Sequence, residues 1–308
     1  MSDASARLSV LVTGASSGIG LHIAQTLAQA GHLVWAGVRQ GADAERLSAT
    51  PGLRPLLLDV RDEAAIAAAV ATIEAEGAGL QGLVNTAGVG DLGPLAAWSA
   101  ADLHRLFDIN VYGPHRLSNA LLPLLLASPG SRIVNIGSQG GSITSSGFGP
   151  YTMSKHALEA YSEALRLELA PLGVSVSIVQ PGGVRSEIGA KSQAANVARL
   201  QATPAPLQPL AQQMLAALSA PEAPFRPDEP ESAANRRLSE PALVSEAVQH
   251  ALCSPSPQRR YLVGTRWEGE RVIDALLQRL LDANDSPSLG FSLDELTQRL
   301  REHAARKR

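Results

Sequence analysis

The sequence Thr13-Gly14-Ala15-Ser16-Ser17-Gly18-Ile19-Gly20 follows a short apolar run, Leu8–Val12, and opens an Ala- and Leu-rich stretch. Glycines allow the backbone to turn tightly and to approach a ligand closely. A helix that begins in such a turn offers free N–H groups and its positive dipole end to an anion. The spacing is Gly-x-x-x-Gly-x-Gly rather than Gly-x-Gly-x-x-Gly. The loop alone therefore leaves two interpretations open: a pyrophosphate site, or a strand-to-helix turn without a ligand.

Short apolar runs alternate with longer helical stretches from Leu8 to about Gly183. Each run has the length of a strand buried on both faces, which is typical of parallel sheets. The alternation predicts right-handed crossovers and a doubly wound α/β fold with a seven-stranded parallel sheet. The predicted strands are Leu8–Val12, Leu33–Val38, Arg54–Leu58, Gly82–Asn85, Arg132–Gly137, Val174–Val179 and Tyr261–Gly264. The predicted helices between them include Ile19–Ala30, Glu63–Glu76, Ala101–Ala127 and Thr152–Ala170.

The character of the sequence changes after Ala190. Eight of the 20 prolines fall between Pro204 and Pro241, so this region is predicted to be rich in loops. It has too little apolar periodicity for an independent domain, and one helix is predicted near Leu210–Leu218. The later predicted helices are Pro241–Leu252, Arg271–Ala283 and Ser292–Ala305.

Composition excludes several classes of protein. The 308 residues carry a net charge of −3 with scattered Lys and Arg, which argues against a nucleic-acid-binding protein. The single cysteine, Cys253, excludes an internal disulfide, and no Cys or His spacing indicates a metal site. The densest apolar run, Ala120–Ala127, is too short to span a bilayer. We expect a cytoplasmic enzyme without an integral membrane segment.

A second pattern follows the fifth predicted strand. Ser138 comes directly after it, Tyr151 lies 13 residues later, and Lys155 stands four residues beyond. Residues four apart share one face of a helix, so the phenol and ammonium groups are expected side by side. A nearby cation lowers the pKa of a tyrosine, which is ordinarily about 10. The pattern predicts proton transfer by Tyr151 with Ser138 orienting the reacting oxygen, although Tyr-x-x-x-Lys alone also suits an ordinary amphipathic helix.

The two patterns together resemble the short-chain dehydrogenase/reductase family, in its common one-domain branch. The resemblance spans about Leu8 to Gly264. It rests on the glycine loop, Asp59-Val60, Asn85-Thr86-Ala87-Gly88, Asn110, the Ser138/Tyr151/Lys155 set and Pro181-Gly182. It implies a dinucleotide-binding catalytic domain over residues 1–265, with a substrate lid at about 190–239, and a C-terminal helical extension over 266–308. It also implies a homodimer or homotetramer, because the long helices at Ala101–Ala127 and Tyr151–Ala170 usually pair between subunits of this family.

Site residues are carried over by the same resemblance. It assigns the phosphate and adenosine site to Gly14, Ser16, Ser17, Gly18, Ile19 and Gly20. It assigns adenine contacts to Asp59 and Val60. It implies that Asn85, Ala87 and Gly88 flank the adenosine ribose and support the centre of the sheet. Asn110 would hold a water in a proton relay through Lys155 to Tyr151. The nicotinamide would be bordered by Pro181, Gly182, Val184 and Ser186. Two residues depart from the family pattern, because Thr86 stands where a second Asn is common and Ser186 where a Thr is common.

The second predicted strand indicates the cofactor. NAD enzymes place an acidic residue near the end of this strand, to bind the ribose hydroxyls. That position is Val38, and Arg39 follows it. A guanidinium suits a 2′-phosphate, so we expect NADP(H), with a solvated surface arginine as the alternative interpretation.

The expected reaction interconverts a secondary alcohol and a ketone. Few charges precede Glu222 in the lid, and its helix carries an apolar stripe, Leu207, Leu210, Met214, Leu215 and Leu218, which favours a hydrophobic, medium-to-large small-molecule substrate. The second strand and the C-terminal extension also look similar to the family branch that acts on steroids, retinoids and other lipophilic alcohols. Arg185 and Lys191 are the residues that could instead anchor an anionic substrate. Two other classes stay open, a non-catalytic NADP-binding sensor and an epimerase or dehydratase on the same fold.

Overall fold

The structure is a computed structural model that describes residues 7–186, 188–220, 223–288 and 290–306, with the backbone alone at 188–191. The chain divides into two compact units, Met1–Gly269 and Glu270–Arg308. The division falls inside one helix, Arg266–Asn284, four residues after the predicted boundary at 265. The side chain of Lys191 lies outside the described residues.

A single seven-stranded parallel sheet forms the centre of the first unit, as predicted. Its strand order is β3-β2-β1-β4-β5-β6-β7, so the chain reverses direction across the sheet after β3, between β1 and β4. The strands are β1 (Ser9–Thr13), β2 (Leu33–Val38), β3 (Leu53–Leu57), β4 (Gly82–Asn85), β5 (Arg132–Ile136), β6 (Ser175–Pro181) and β7 (Arg260–Val263). This is the doubly wound Rossmann arrangement, in which ligands bind at the carboxyl ends of the strands near the reversal.

Both faces of the sheet are covered, which explains why the middle of β1 carries buried apolar side chains on both faces. Alternate residues of β1 point to opposite faces. Val10 and Val12 belong to one core cluster, whereas Leu11 belongs to the cluster on the other face. All three side chains are fully buried.

Helix α3 (Glu63–Glu76) begins and ends at capping residues. The Asp62 side chain accepts hydrogen bonds from the backbone N–H groups of Ala64 and Ala65 at the start of α3, and Gly77 ends it in the left-handed conformation. Within the part of the chain that the structure describes, no helix is both long and apolar enough to cross a membrane. The helices are α1 (Gly18–Gln29), α2 (Gly41–Ser48), α3 (Glu63–Glu76), α4 (Ala100–Phe107), α5 (Gly113–Leu126), α6 (Gly149–Leu169), α7 (Ile188–Gln201), α8 (Gln208–Ser219), α9 (Pro241–Cys253), α10 (Arg266–Asn284) and α11 (Leu293–Ala305).

The long helix predicted over Ala101–Ala127 is interrupted. A π-helical turn, Asp108–Tyr112, separates α4 from α5. Pro114 lies in the first turn of α5, and it has no N–H to donate to the carbonyl four residues earlier. That carbonyl belongs to Asn110, so the interruption occurs at a predicted site residue. Single π turns of this kind are frequent at functional sites.

The segment after β6 contains more helix than predicted. Besides α8, it holds the 14-residue helix α7, which the sequence analysis missed. Its central residues are mostly alanine and polar side chains, so they give little apolar periodicity. The segment returns to the sheet region through a parallel bridge between Val184 and Ser239.

Candidate active site

One cavity of about 550 Å³ opens at the carboxyl ends of the central strands. Most of the predicted site residues line it, although they come from seven separate stretches of the chain. The predicted residues that line the cavity are Gly14, Ser16, Ser17, Gly18, Ile19, Gly20, Arg39, Asp59, Val60, Ala87, Gly88, Ser138, Tyr151, Lys155, Pro181, Gly182, Val184 and Ser186. Two predicted residues, Asn85 and Asn110, do not line it.

The glycine loop is shaped by close backbone contacts. A Cβ atom at Gly14 would lie 2.9 Å from the Cα atom of Ala87, and the φ angle of Gly14 is +64°. A Cβ atom at Gly20 would lie 2.4 Å from the carbonyl oxygen of Gly14. No side chain fits at either position, so the loop folds tightly against the turn after β4. This cradle, with α1 beginning at Gly18, fits a dinucleotide pyrophosphate.

Thr13 joins the two turns from inside and was not predicted as a site residue. Its hydroxyl accepts hydrogen bonds from the backbone N–H groups of Thr86 and Ala87, both at 3.0 Å. The neighbouring strands β1 and β4 therefore end in a fixed relation. Only the parallel pairing of these strands brings residues more than 70 positions apart into this contact.

Several arginines surround the end of the cavity near β2. Arg39 is exposed and lines the cavity, and no ion pair to it is found among the described residues. Arg61 pairs with Asp59 at 2.7 Å, and this hydrogen bond is the main reason that the pKa of Asp59 is lowered. Arg46 donates to the carbonyl oxygen of Ser16 at 2.7 Å. Neither Arg46 nor Arg61 was predicted as a site residue. Each reaches this region through tertiary packing, Arg61 as a lining residue and Arg46 through its bond to Ser16.

The predicted catalytic side chains meet at the opposite end of the cavity. Tyr151 and Lys155 lie one turn apart on α6, and the Lys155 Nζ atom is 5.8 Å from the centroid of the Tyr151 ring. The same ammonium donates to the carbonyl oxygen of Ile136 at 2.9 Å. Ser138 accepts a hydrogen bond from the backbone N–H of Gly140, which fixes its position at the end of β5.

The pKa of Tyr151 moves opposite to the predicted direction. It is raised because burial disfavours the phenolate, and a hydrogen bond with Ser138 offsets only part of this effect. Burial also lowers the pKa of Lys155 to about 8, against the attraction of Glu159. The predicted lowering assumed an ammonium close to the phenol, whereas this ammonium is directed to a backbone carbonyl. The described side chains therefore keep Tyr151 as a neutral phenol, which is the form that donates a proton.

Asn110 lies beside the cavity with its side chain fully engaged. Its Oδ1 atom accepts from the N–H of Val89 at 2.9 Å, and its Nδ2 atom donates to the Val89 carbonyl and to Ser154 Oγ, both at 3.0 Å. The side chain thus joins the π turn to the loop after β4. Its backbone carbonyl lacks the usual helical donor, because the residue four positions later is Pro114.

Asn85 lies inside the sheet rather than at the cavity wall. It is 3% exposed, and its Nδ2 atom donates to Asn135 Oδ1 at 2.9 Å. Asn135 in turn donates to Ser162 on α6 at 2.9 Å. This buried chain connects the middle of the sheet to the helix that carries Tyr151. The buried position of Asn85 is consistent with the predicted support of the sheet centre. Asn85 does not line the cavity, where the ribose contact was predicted.

A charged group that the sequence analysis did not select lines the cavity near Tyr151. Asp91 is 2% exposed and pairs with Arg105, and both residues line the cavity. Arg199 on α7 lies 4.0 Å from the Asp91 carboxylate. Helix α7 contributes Ser192 and Ala195 to the cavity lining. None of the five apolar-stripe residues on or beside α8 lines the cavity, and Met214 instead packs against Gly147.

Comparisons with known proteins agree with the fold. A sequence profile of the family described as short chain dehydrogenase matches residues 9–197. The chain belongs to the short-chain dehydrogenase family. The uncharacterized oxidoreductase YbbO of Escherichia coli strain K12 is 35% identical over 280 residues, which cover 88% of this chain and 94% of that protein. The chain is accordingly an oxidoreductase of this family.

Two further members of the family are similar over shorter lengths. Mouse retinol dehydrogenase 5 is 42% identical over 185 residues, covering 58% of this chain and 57% of that enzyme. The solved structure of actinorhodin polyketide ketoreductase with NADPH is 27% identical and superposes with a TM-score of 0.66, covering 83% of this chain and 95% of that one. In the chain described here, the family match at 9–197 ends inside α7.

Proposed function

We propose that this oxidoreductase uses NADP(H) to interconvert a secondary alcohol and a ketone, with Tyr151 as the general acid and base. One observation carries the proposal. Ser138, Tyr151 and Lys155 lie at one end of a single cavity whose other end holds the glycine loop and Arg39. In a dinucleotide bound along this cavity, the phosphates would be held at the start of α1, and Tyr151, Ser138 and Lys155 would face its reactive end.

The cofactor choice is supported by the charges near β2. Val38 and Arg39 offer no carboxylate to the ribose hydroxyls, and the exposed Arg39 guanidinium suits a 2′-phosphate. Arg46 and Arg61 add positive charge nearby, although each is paired with a carboxylate. The similar ketoreductase structure contains NADPH, in agreement with this choice.

The chain's own residues supply the proton chemistry. NADPH, when bound, supplies the hydride. Ser138 and Tyr151 would share the ketone oxygen as hydrogen-bond donors, and the Tyr151 proton would pass to that oxygen as negative charge develops. Lys155 would hold the nicotinamide ribose, and the Asn110 carbonyl would hold the water that returns a proton through Lys155 to Tyr151.

The proposed substrate is a hydrophobic, medium-to-large ketone or alcohol. Val89, Ile109 and Ala195 supply apolar wall to the cavity that Tyr151 lines, and the similarity to a retinol dehydrogenase agrees with this class. Arg185 does not line the cavity and pairs with Glu240 on the surface at 3.0 Å. We propose that the segment at about 190–239 acts as the substrate lid, with α7 as the part nearest the reacting groups.

The test is a spectrophotometric screen that follows NADPH and NADH at 340 nm. We expect NADPH consumption with ketones, and kcat/KM that rises from short polar ketones to aryl, long-chain and polycyclic ones. No turnover with any ketone, but tight NADPH binding, would favour a sensor. Conversion of nucleotide sugars without net absorbance change would favour an epimerase. A wide preference for an anionic ketone would contradict the substrate class and leave the reaction class intact.

A further inference from the structure

A buried carboxylate lies behind the loop that borders the proposed nicotinamide position. Glu268, near the start of α10, is 1% exposed. Its Oε1 atom accepts a hydrogen bond from the backbone N–H of Gly183 at 2.7 Å and another from Arg236 Nη2 at 2.7 Å. Its Oε2 atom accepts from the N–H of Thr265 at 3.2 Å. Burying a charge costs free energy unless it is paired, and here three donors satisfy it.

The backbone around Glu268 is built to admit this carboxylate. A Cβ atom at Gly182 would lie 2.2 Å from Oε2, and one at Gly264 would lie 2.5 Å from the same oxygen. Gly264 has a φ angle of +151°, which other residues rarely adopt. The ends of β6 and β7 therefore approach the carboxylate closely at two glycines. Gln139, the residue after Ser138, is also near, because its Nε2 atom donates to the Val263 carbonyl at 3.2 Å.

The same peptide is held from its carbonyl side by the end of the lid segment. The Gly183 carbonyl accepts from the N–H of Ser239 at 2.8 Å, and the Ser239 carbonyl accepts from the N–H of Arg185 at 3.0 Å. The backbone N–H of Gly183 is thus bound by Glu268, and its carbonyl is bound by Ser239 at the end of the lid segment. Arg236, three residues before Ser239, links the two supports through its bond to Glu268.

We infer that Glu268 is a positioning residue that holds the loop Pro181–Gly183 in the shape needed to receive the nicotinamide. This rests on the proposed function, because that loop lines the cavity beside Tyr151. Glu268 is not among the cavity-lining residues, so it acts through the Gly183 backbone rather than on the cofactor. The loop is held in advance of binding, and binding does not have to order it.

The test compares two nucleotides that share only the adenosine half of the site. Adenosine 2′,5′-bisphosphate reaches the glycine loop and Arg39, whereas NADPH also reaches the loop Pro181–Gly183. Calorimetry on the full chain gives both dissociation constants. We expect Glu268→Ala to raise the dissociation constant of NADPH by about tenfold or more, as for loss of a charge-assisted hydrogen bond. The dissociation constant of the bisphosphate should stay within about twofold of the wild-type value. Glu268→Gln keeps an acceptor for the Gly183 N–H and should restore most of the NADPH affinity.

Two further variants complete the test. Glu246→Ala removes an exposed carboxylate on α9 and should change neither constant. If Glu268→Ala does not fold, Glu268→Asp is used, which keeps the charge but moves the carboxylate oxygen away from Gly183. We expect it to raise the dissociation constant of NADPH by about threefold or more and to leave that of the bisphosphate unchanged. Equal weakening of both nucleotides, or of neither, would overturn the inference alone. Wild-type protein that bound neither nucleotide would overturn the proposed function as well.

Discussion

At the scale of single residues, burial sets the protonation of the two central side chains. Tyr151 and Lys155 lie on adjacent turns of α6, and burial favours the neutral form of each. It raises the pKa of Tyr151 and lowers the pKa of Lys155 to about 8. The pair is therefore suited to proton donation by the phenol, and the lysine changes charge just above neutral pH.

Tyr151→Phe removes the proton donor while keeping the ring. We expect kcat for ketone reduction to fall by about two or more orders of magnitude, with the NADPH dissociation constant nearly unchanged. Tyr161→Phe, on the same helix but outside the cavity lining, is the matched control. Near-normal turnover in Tyr151→Phe would contradict the proposed mechanism.

The lowered pKa of Lys155 predicts proton uptake when the cofactor binds. Below pH 8 the ammonium is already charged, whereas above pH 8 most molecules are neutral and must take up a proton to present a cation to the ribose. Calorimetry at pH 6.5 and 8.5, in buffers of different ionisation enthalpy, measures this. We expect uptake only at the higher pH, and none in Lys155→Met. Equal uptake by wild type and Lys155→Met would show that another group titrates.

Arg39 should determine the preference between cofactors. Arg39→Ala removes one charge-assisted contact to the 2′-phosphate, so the NADPH constant should rise by about ten- to a hundredfold, with little change for NADH. Val38→Asp together with Arg39→Ala should tilt the enzyme toward NADH. Arg54→Ala, an exposed arginine on β3 away from the cavity, is the control. A native preference for NADH would contradict the assignment.

At the scale of elements, α7 is attached to the loop after β4 by polar contacts. Arg199 donates to the Leu92 carbonyl at 2.9 Å, and its guanidinium lies 3.7 Å from the centroid of the Trp98 ring. Asn196 accepts from the N–H of Leu92 at 3.0 Å. Since Ser192 and Ala195 of the same helix line the cavity, these contacts determine where the wall near Tyr151 stands.

Arg199→Met keeps the length of the side chain and removes its hydrogen bonds. We expect the KM for the ketone to rise several-fold and the dissociation constant of NADPH to stay unchanged. The free energy of unfolding should fall by about 1–3 kcal/mol. Arg226→Met, which breaks an exposed pair with Glu229 in the same segment, should have little effect. Denaturant titration and steady-state kinetics measure both. A loss of stability without any change in KM would leave α7 a structural helix only.

At the scale of the whole molecule, large apolar side chains remain exposed on α5 and α6. Leu126 is 43% exposed and Leu167 is 60% exposed. The family resemblance predicts that these helices pair between subunits in a homodimer or homotetramer. We expect light scattering at micromolar concentration to give a multiple of the chain mass.

Leu126→Glu with Leu167→Glu places charge on both helices and should shift the molecule toward the monomer. Leu57→Glu, at an equally exposed leucine on β3, is the control and should leave the mass unchanged. A wild-type monomer under these conditions would contradict the predicted assembly.

The sequence by itself was sufficient for the sheet, and most of the site residues that it and the family resemblance indicated line one cavity. Buried parallel strands carry apolar residues on both faces, so β2 and β4 were predicted at their observed bounds and the others to within two residues. The glycine loop and the set Ser138, Tyr151 and Lys155 were predicted because spacing along one loop or one helix fixes their geometry locally.

Tertiary structure alone decided the features that depend on distant neighbours. The direction of the Tyr151 pKa depends on burial and on where the Lys155 ammonium points, neither of which spacing reveals. Thr13, Asp91 and Glu268 bind backbone or side chains that are remote in the chain, so no local pattern marks them. Helix α7 is held by contacts of its own Arg199 and Asn196 with the loop after β4, rather than by an apolar stripe. Its sequence therefore lacks the periodicity that would have predicted a helix.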